Sequence, residues 1–355
     1  MDHALRRSRI TARLEELGAD ALLVTHLPNV RYLTGFSGSN GQAVLTVDGG
    51  RFLTDGRYDE QSRREVQGLE RVIYSGSVAP VVASACADLG VPRVAFETTA
   101  VNVDLFQELT ALGIALVPTQ SEVERLRWVK DAEELEHLRA AQAIADRGFE
   151  AIVPTLAPRT TERELALALD IAMRREGADG PAFETIVAFG ENAAEPHHEP
   201  TSRMLERGDV VKMDFGCTVA GYHSDMTRTV ALGDPPDELA RVYKVVQGAQ
   251  AAGVEAIRAG ATGGEVDAVC RGMIAAAGYG PRFSHGLGHG VGLEIHEGPS
   301  LRLGGSDVLP AGAVVTVEPG VYLPGLGGVR IEDMVEVTDS GGRVIPAVPK
   351  ELLIL

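Results

Sequence analysis

Residues 210–230 read VVKMDFGCTVAGYHSDMTRTV, and they set two carboxylates, Asp214 and Asp225, into otherwise apolar, strand-like sequence. An unpaired carboxylate is costly to bury, so each acid needs a compensating charge. The two flank an Ala220-Gly221 turn at nearly equal distances. An antiparallel hairpin about that turn places them nearly opposite each other, with side chains ~5 Å apart. Two like charges at that distance raise one pKa sharply unless a cation lies between them. Thr227 and Arg228 could stabilise one of these acids, but not obviously both.

Further along the chain, Glu318 lies in AVVTVEPG and Glu332 in GGVRIEDMVEV, again among apolar and β-favouring neighbours. Between the two pairs runs SHGLGHGVGLEIHEGP, with His285, His289 and His296 among five glycines. Glycine lets backbone approach a ligand closely, and imidazole is a common transition-metal ligand. The His285–His289 spacing lacks the HExxH pattern of a zincin helix. Asp214, Asp225, Glu318 and Glu332 with one neutral imidazole carry a charge of −4, which two divalent cations neutralise. Oxygen-rich coordination of this kind suits a two-metal site holding manganese, cobalt or zinc, with manganese the first choice.

The surrounding chain predicts two domains. Residues 1–124 alternate helix-like and strand-like segments, as in a small α/β unit, beginning with a helix over about 3–17. The glycine-rich TGFSGSNGQ at 34–42 lacks the Lys-Ser/Thr of a phosphate loop and reads as a turn or a mobile loop near the site. The charged 121–134 segment reads as a helical entry into the second domain, 125–355, whose long helix begins near Asp131. A second helix follows Thr161, which has capping-box spacing to Glu164. Two helices near 236–259 and 264–277 then precede the later strands. Each half therefore runs helix, helix, strands, with two carboxylates apiece, which suggests a pseudo-two-fold α/β (α+β) domain.

Composition narrows the function classes. Of 355 residues, 45% are hydrophobic and 23% charged, as in a globular protein. A net charge of −17 disfavours nucleic acid and anionic membranes as partners. Three cysteines without CxxC pairing argue against a disulfide framework or a thiolate zinc site. The N-terminus has no apolar signal core, and no apolar run approaches the ~18 residues of a span, so a cytoplasmic protein is expected.

These motifs, in this order, resemble the pita-bread metallopeptidases, in particular the Xaa-Pro aminopeptidase and Xaa-Pro dipeptidase (prolidase) branch. NVRYLTGFSGSNG is similar to their creatinase-like N-terminal domain. NAAEPHHEP, DFG…GYHSDMTRT, HGLGHGVGLEIHE, VEPG and VRIED follow in family order. The resemblance implies that Asp214 chelates one metal, that Asp225 and Glu332 bridge both, and that His289 and Glu318 bind the second. It implies a water-derived nucleophile with Glu318 as general base, and His197 and His296 touching substrate or shuttling protons. His285 matches a pocket-lining histidine, while Tyr322 and Arg330 match positions beside the metal carboxylates. It also implies proline-containing peptides as substrates, and a homodimer in which the small domain restricts access to the site.

Within that branch the aminopeptidase is the expectation. A dipeptidase needs a cation for the free carboxylate of proline, and the arginine that some prolidases place four residues after the second histidine is Ser300 here. Arg302, Arg31 or Arg51 could substitute, which keeps the dipeptidase as the alternative. Methionine aminopeptidases usually lack the preceding domain. Metal-free binding proteins and creatinase are expected to lose ligands that this chain retains.

Overall fold

A computed structural model describes all 355 residues. The chain forms two compact units, Met1–Arg127 and Trp128–Leu355.

The first unit is a six-stranded mixed sheet. Its strand order is Glu70–Tyr74, Gly49–Asp55, Gln42–Thr46, Ala21–Val24, Arg93–Glu97 and Ala115–Thr119. Leu23, Val44, Leu53, Val94 and Phe96 pack with Val82, Cys86 and Leu109 of the helices Val78–Leu89 and Val103–Ala111. The first helix is shorter than its sequence predicts. It spans His3–Thr11, and turns lead from there to Gly18. The glycine-rich loop after Thr34 is tied down rather than loose. Ser37 is bonded to Glu65, Ser39 to Tyr58 and Asn40 to Asp55.

The second unit repeats one plan. In the first half, helices Ala132–Ile152 and Glu162–Arg175 cover the sheet of Ile186–Phe189, Val210–Phe215 and Met226–Ala231. Both helices start in capping boxes, Asp131 with Glu134 and Thr161 with Glu164, which satisfy otherwise orphaned N–H groups. In the second half, Asp237–Ala256 and Gly263–Ala276 cover a sheet that includes Val314–Val317 and Asp333–Thr338.

Strand pleating decides what each half presents. Successive side chains point to opposite faces of a strand. Val211, Met213 and Phe215 enter the core beneath the first helix pair, and Val315, Val317, Val335 and Val337 enter the core beneath the second. The alternate positions, Lys212 and Asp214 in one half and Thr316 with Glu318 and Glu332 at the strand ends in the other, occupy the opposite faces. The halves are stitched there: Glu332 N–H donates to Thr227 O at 3.1 Å, and Thr229 Oγ1 donates to Arg330 O at 3.0 Å.

Candidate metal centre

The hairpin of residues 210–231 turns at Ala220-Gly221, both with positive φ. Its register pairs Phe215 with Met226 and Asp214 with Thr227. Continued, that register puts Asp225 beside Gly216, two residues along from Asp214. The two aspartates are therefore diagonal neighbours on one face rather than directly opposed. Offset by two residue pairs, and so on the same face of the pleat, both point to the side on which the second half supplies its acids.

There Asp225, His289 and Glu332 bring one potential ligand atom each to within 4.8 Å of one another. His289 Nε2 lies 3.6 Å from Asp225 Oδ2 and 3.5 Å from Glu318 Oε1. His289 Nδ1 faces Gly290 O at 3.0 Å, and a carbonyl can only accept. The ring proton is thus held at Nδ1, and Nε2 turns its lone pair toward the acids, the tautomer a metal ligand requires. Gly288 is obligatory beside it, since a Cβ there would lie 2.1 Å from Thr316 O. Thr316 Oγ1 also receives the His289 N–H at 3.1 Å, fixing the histidine from its backbone side.

The electrostatics show what the cage lacks. Burial pushes the Asp225 carboxyl well above its ordinary range, reinforced by Glu332, Asp214 and Glu318. Burial and Glu332 do the same to Glu318, and burial with Asp214 pushes Glu332 up to about 8. Burial, with His296 adding to it, pushes His289 down to about 4, so the ring carries no charge to offset them. Arg330 is the one cation in direct contact. Its Nη2 donates to Asp214 Oδ2, its Nε to Thr227 Oγ1 at 2.9 Å, and its Nη1 to Tyr322 Oη and Pro196 O, each at 3.1 Å. Arg330 lowers the net charge of the cage from −4 to −3. Asp214 Oδ1 remains buried with no hydrogen-bond partner. An orphaned carboxylate oxygen, a ring lone pair and crowded acids are the donor set that divalent cations fit.

Arg330 therefore bridges to Asp214, whereas Asp333 is engaged by Arg228 and Lys350, each at 2.7 Å. Thr227 donates to Glu332 Oε2 at 2.6 Å. Tyr322 Oη, 2.8 Å from His285 Nε2, extends the network, and His285 Nδ1 donates to Gly286 O. Burial, with Arg330 nearby, pushes His285 down to about 4.

A cavity of about 800 Å³ opens onto this cluster. His197, His285 and His296 all line it, as do the five acid and histidine positions of the cage. The His289 and His296 rings lie 4.3 Å apart, edge to face. His198 lines the cavity as well, but its ring is tied to acids on both sides. It is buried, with Nε2 2.9 Å from Glu162 and Nδ1 2.6 Å from Glu195, so both ring nitrogens are taken. Glu162 is fully buried and also accepts from Thr201, Phe189 N–H and Asn192, anchoring the segment that carries the two histidines. Neither Glu162 nor Lys212 was legible as part of the site. The available signal for Lys212 was a cation between Val211 and Met213 in an apolar strand. Glu162 looked like an ordinary first-turn acid.

The profile of metallopeptidase family M24 matches residues 136–339, and that of the creatinase/prolidase N-terminal domain matches residues 6–129. The chain belongs to metallopeptidase family M24. It is 44% identical over 342 residues to the uncharacterized peptidase YqhT of Bacillus subtilis, covering 96% of this chain and 97% of that one. A solved Xaa-Pro dipeptidase from Bacillus anthracis superposes with a TM-score of 0.97 at 40% identity, covering 100% of both chains. An X-Pro aminopeptidase from Thermotoga maritima superposes with a TM-score of 0.92 at 35% identity, covering 98% of this chain and 99% of that one. This M24 member is a peptide hydrolase of a family that works with divalent metal ions. No helix in it is long and apolar enough to cross a membrane.

Proposed function

We propose that this M24 peptidase is an Xaa-Pro dipeptidase, a prolidase, in place of the aminopeptidase that its sequence suggested. The observation that carries the hydrolase is the convergence of Asp214, Asp225, His289, Glu318 and Glu332 on one cavity. The dipeptidase preference is supported by similarity: the Bacillus anthracis dipeptidase resembles this chain more closely than the Thermotoga maritima aminopeptidase does, in both identity and superposition. Ser300 stands apart from the cavity: its N–H and hydroxyl are both bonded to Asp307, and it does not line the wall. Arg163 does line it. Its Nε donates to Pro200 O at 3.1 Å, and the rest of the guanidinium provides a cation for the free carboxylate of a terminal proline.

In this reading Asp214, Asp225, His289, Glu318 and Glu332 hold two divalent ions, with manganese favoured by the oxygen-rich donor set. Bound there, such ions polarise a carbonyl and lower the pKa of water toward neutrality. Glu318 accepts the proton of the attacking water and later returns one to the departing proline nitrogen. His197 and His296 hold the peptide at the mouth of the cage, and His285 is oriented by Tyr322. The Xaa-Pro bond is a tertiary amide without an N–H. A site that acts on the carbonyl has no need of the missing donor. A homodimer in the cytoplasm completes the proposal.

Turnover of Xaa-Pro against Xaa-Pro-Xaa peptides, before and after chelation, tests it. The expected result is turnover of the dipeptide, lost on chelation and restored by Mn²⁺. Arg163→Ala is expected to raise KM for the dipeptide and leave that for the longer peptide unchanged. Cleavage of the tripeptide alone returns the assignment to the aminopeptidase.

A further inference from the structure

Lys212 is fully buried in the central strand of a three-stranded sheet, a placement rare for lysine. Its cross-strand neighbours are Ala188 and Thr229, both small enough to leave room for the long stem. Its amine reaches the segment leading to His197 and meets three backbone carbonyls there: Ala193 at 3.3 Å, Pro196 at 3.4 Å, and Glu195. Buried carbonyls without partners are costly, and the lysine supplies donors to all three.

The same segment is gripped from its other side. Ala193 O packs so closely on Gly328 that a Cβ there would lie 2.2 Å away. Pro196 O also accepts from Arg330 Nη1. The Pro196 carbonyl belongs to the peptide unit that ends in the His197 nitrogen, so the two donors, Lys212 and Arg330, together set the plane of that unit. Beyond it, His197 reaches the cavity wall. His198 lines the wall too, with its ring held by Glu162 and Glu195.

We propose that Lys212 is a positioning residue, holding the Ala193–Pro196 carbonyls so that His197 faces the substrate cavity. The inference rests on the peptidase reading only in that His197 touches substrate. It assigns Lys212 no contact with substrate or metal.

The test is a double-mutant cycle with a structural readout beside it. Lys212→Met is expected to raise KM for an Xaa-Pro dipeptide about tenfold, the scale of losing an outer supporting partner, with kcat and bound metal little changed. In a His197→Ala background the same substitution is expected to add less than about twofold, because residues acting through one another are not additive. Amide hydrogen exchange over residues 193–198 is expected to quicken about tenfold or more in Lys212→Met, with the sheet unaffected. Lys212→Gln, which keeps a donor, serves where the methionine variant does not fold, and it is expected to show the smaller acceleration of the two. Independent, multiplicative effects of the two substitutions overturn the proposal. So does loss of bound metal in Lys212→Met, or wild-type exchange of the segment in either folded variant. Absence of turnover in the wild-type protein counts against the peptidase reading alone and leaves the exchange test intact.

Discussion

Asp225→Asn is expected to abolish most turnover while making the metal-free protein more stable. These opposite signs follow from one cause. Asp225 is buried among Glu332, Asp214 and Glu318, and its carboxyl is held well above the ordinary range. A group whose folded pKa is raised binds its proton more tightly in the folded state than in the unfolded one. Its contribution to stability is complete below the unfolded pKa and is lost as pH rises through the folded value. Metal-free wild-type protein is therefore expected to lose stability as pH climbs from the ordinary carboxylate range toward about 8, the value to which Glu332 is pushed. Asparagine has the shape of aspartate without the charge, so the variant should be the more stable of the two at pH 8 and lose that advantage at low pH.

With metal the ordering reverses. Ligand at 100 times its Kd stabilises the wild type by about 2.7 kcal/mol, a gain the variant is expected to forfeit because one of the carboxylates proposed to hold metal is gone. Losing about 4 kcal/mol of transition-state stabilisation lowers kcat/KM on the order of 10³-fold. Thermal unfolding across pH, with and without Mn²⁺, together with steady-state kinetics, measures both arms. A metal-free Asp225→Asn that is less stable than wild type at pH 8 would mean that the acids do not repel one another as argued.

Arg330→Met carries the second large effect, and here stability and activity fall together. Arg330 is buried, and its guanidinium serves Asp214, Thr227, Tyr322 and Pro196 at once. Methionine fills similar space but leaves Asp214 uncompensated. Breaking a buried ion pair by removing one partner costs about 3–5 kcal/mol. The cage also returns to four uncompensated carboxylates, so the loss should be greatest without metal and deepen with rising pH. Activity is expected to drop about 10–100-fold even with metal saturating, the usual effect of removing an outer partner of a ligand. Arg330→Lys should recover little, because a single ammonium cannot reproduce a planar fork that meets four acceptors. Denaturant unfolding of the metal-free variants reads the first quantity. A stability within about 1 kcal/mol of wild type, the range of an ordinary substitution, would show that Arg330 does not compensate Asp214.

Much of the site was legible because its chemistry conflicts with its surroundings. An acid in an apolar strand, as at Asp214 or Glu318, demands a partner wherever the chain goes, and glycine flanking His289 signals close backbone approach. Capping boxes at Thr161 and Asp131 were readable for a similar reason, since the helix start depends on residues three apart. Local spacing was less reliable for the hairpin. Symmetry about the turn suggested opposed aspartates, but the register pairs Asp214 with Thr227. Position relative to a turn does not set register until the strands pack and one face must be buried. Ser300 shows the same limit: an offset along the chain does not say whether a side chain lines a cavity, and Ser300 does not line this one.

What the sequence by itself determined is a set of candidate donors: four carboxylates and an imidazole on strand-like segments of two similarly ordered halves, preceded by a separate α/β unit. That information is local, carried by residue type, alternation and glycine placement. The tertiary structure alone decided which neutral or charged side chain answers each donor. Arg330 settles on Asp214 rather than Asp333, His198 turns to Glu162 and Glu195, and Lys212 gathers three carbonyls of the segment bearing His197. Such pairings join residues far apart in the chain, and their energies depend on burial and distance, which exist only once both halves have packed and water has left the space between them.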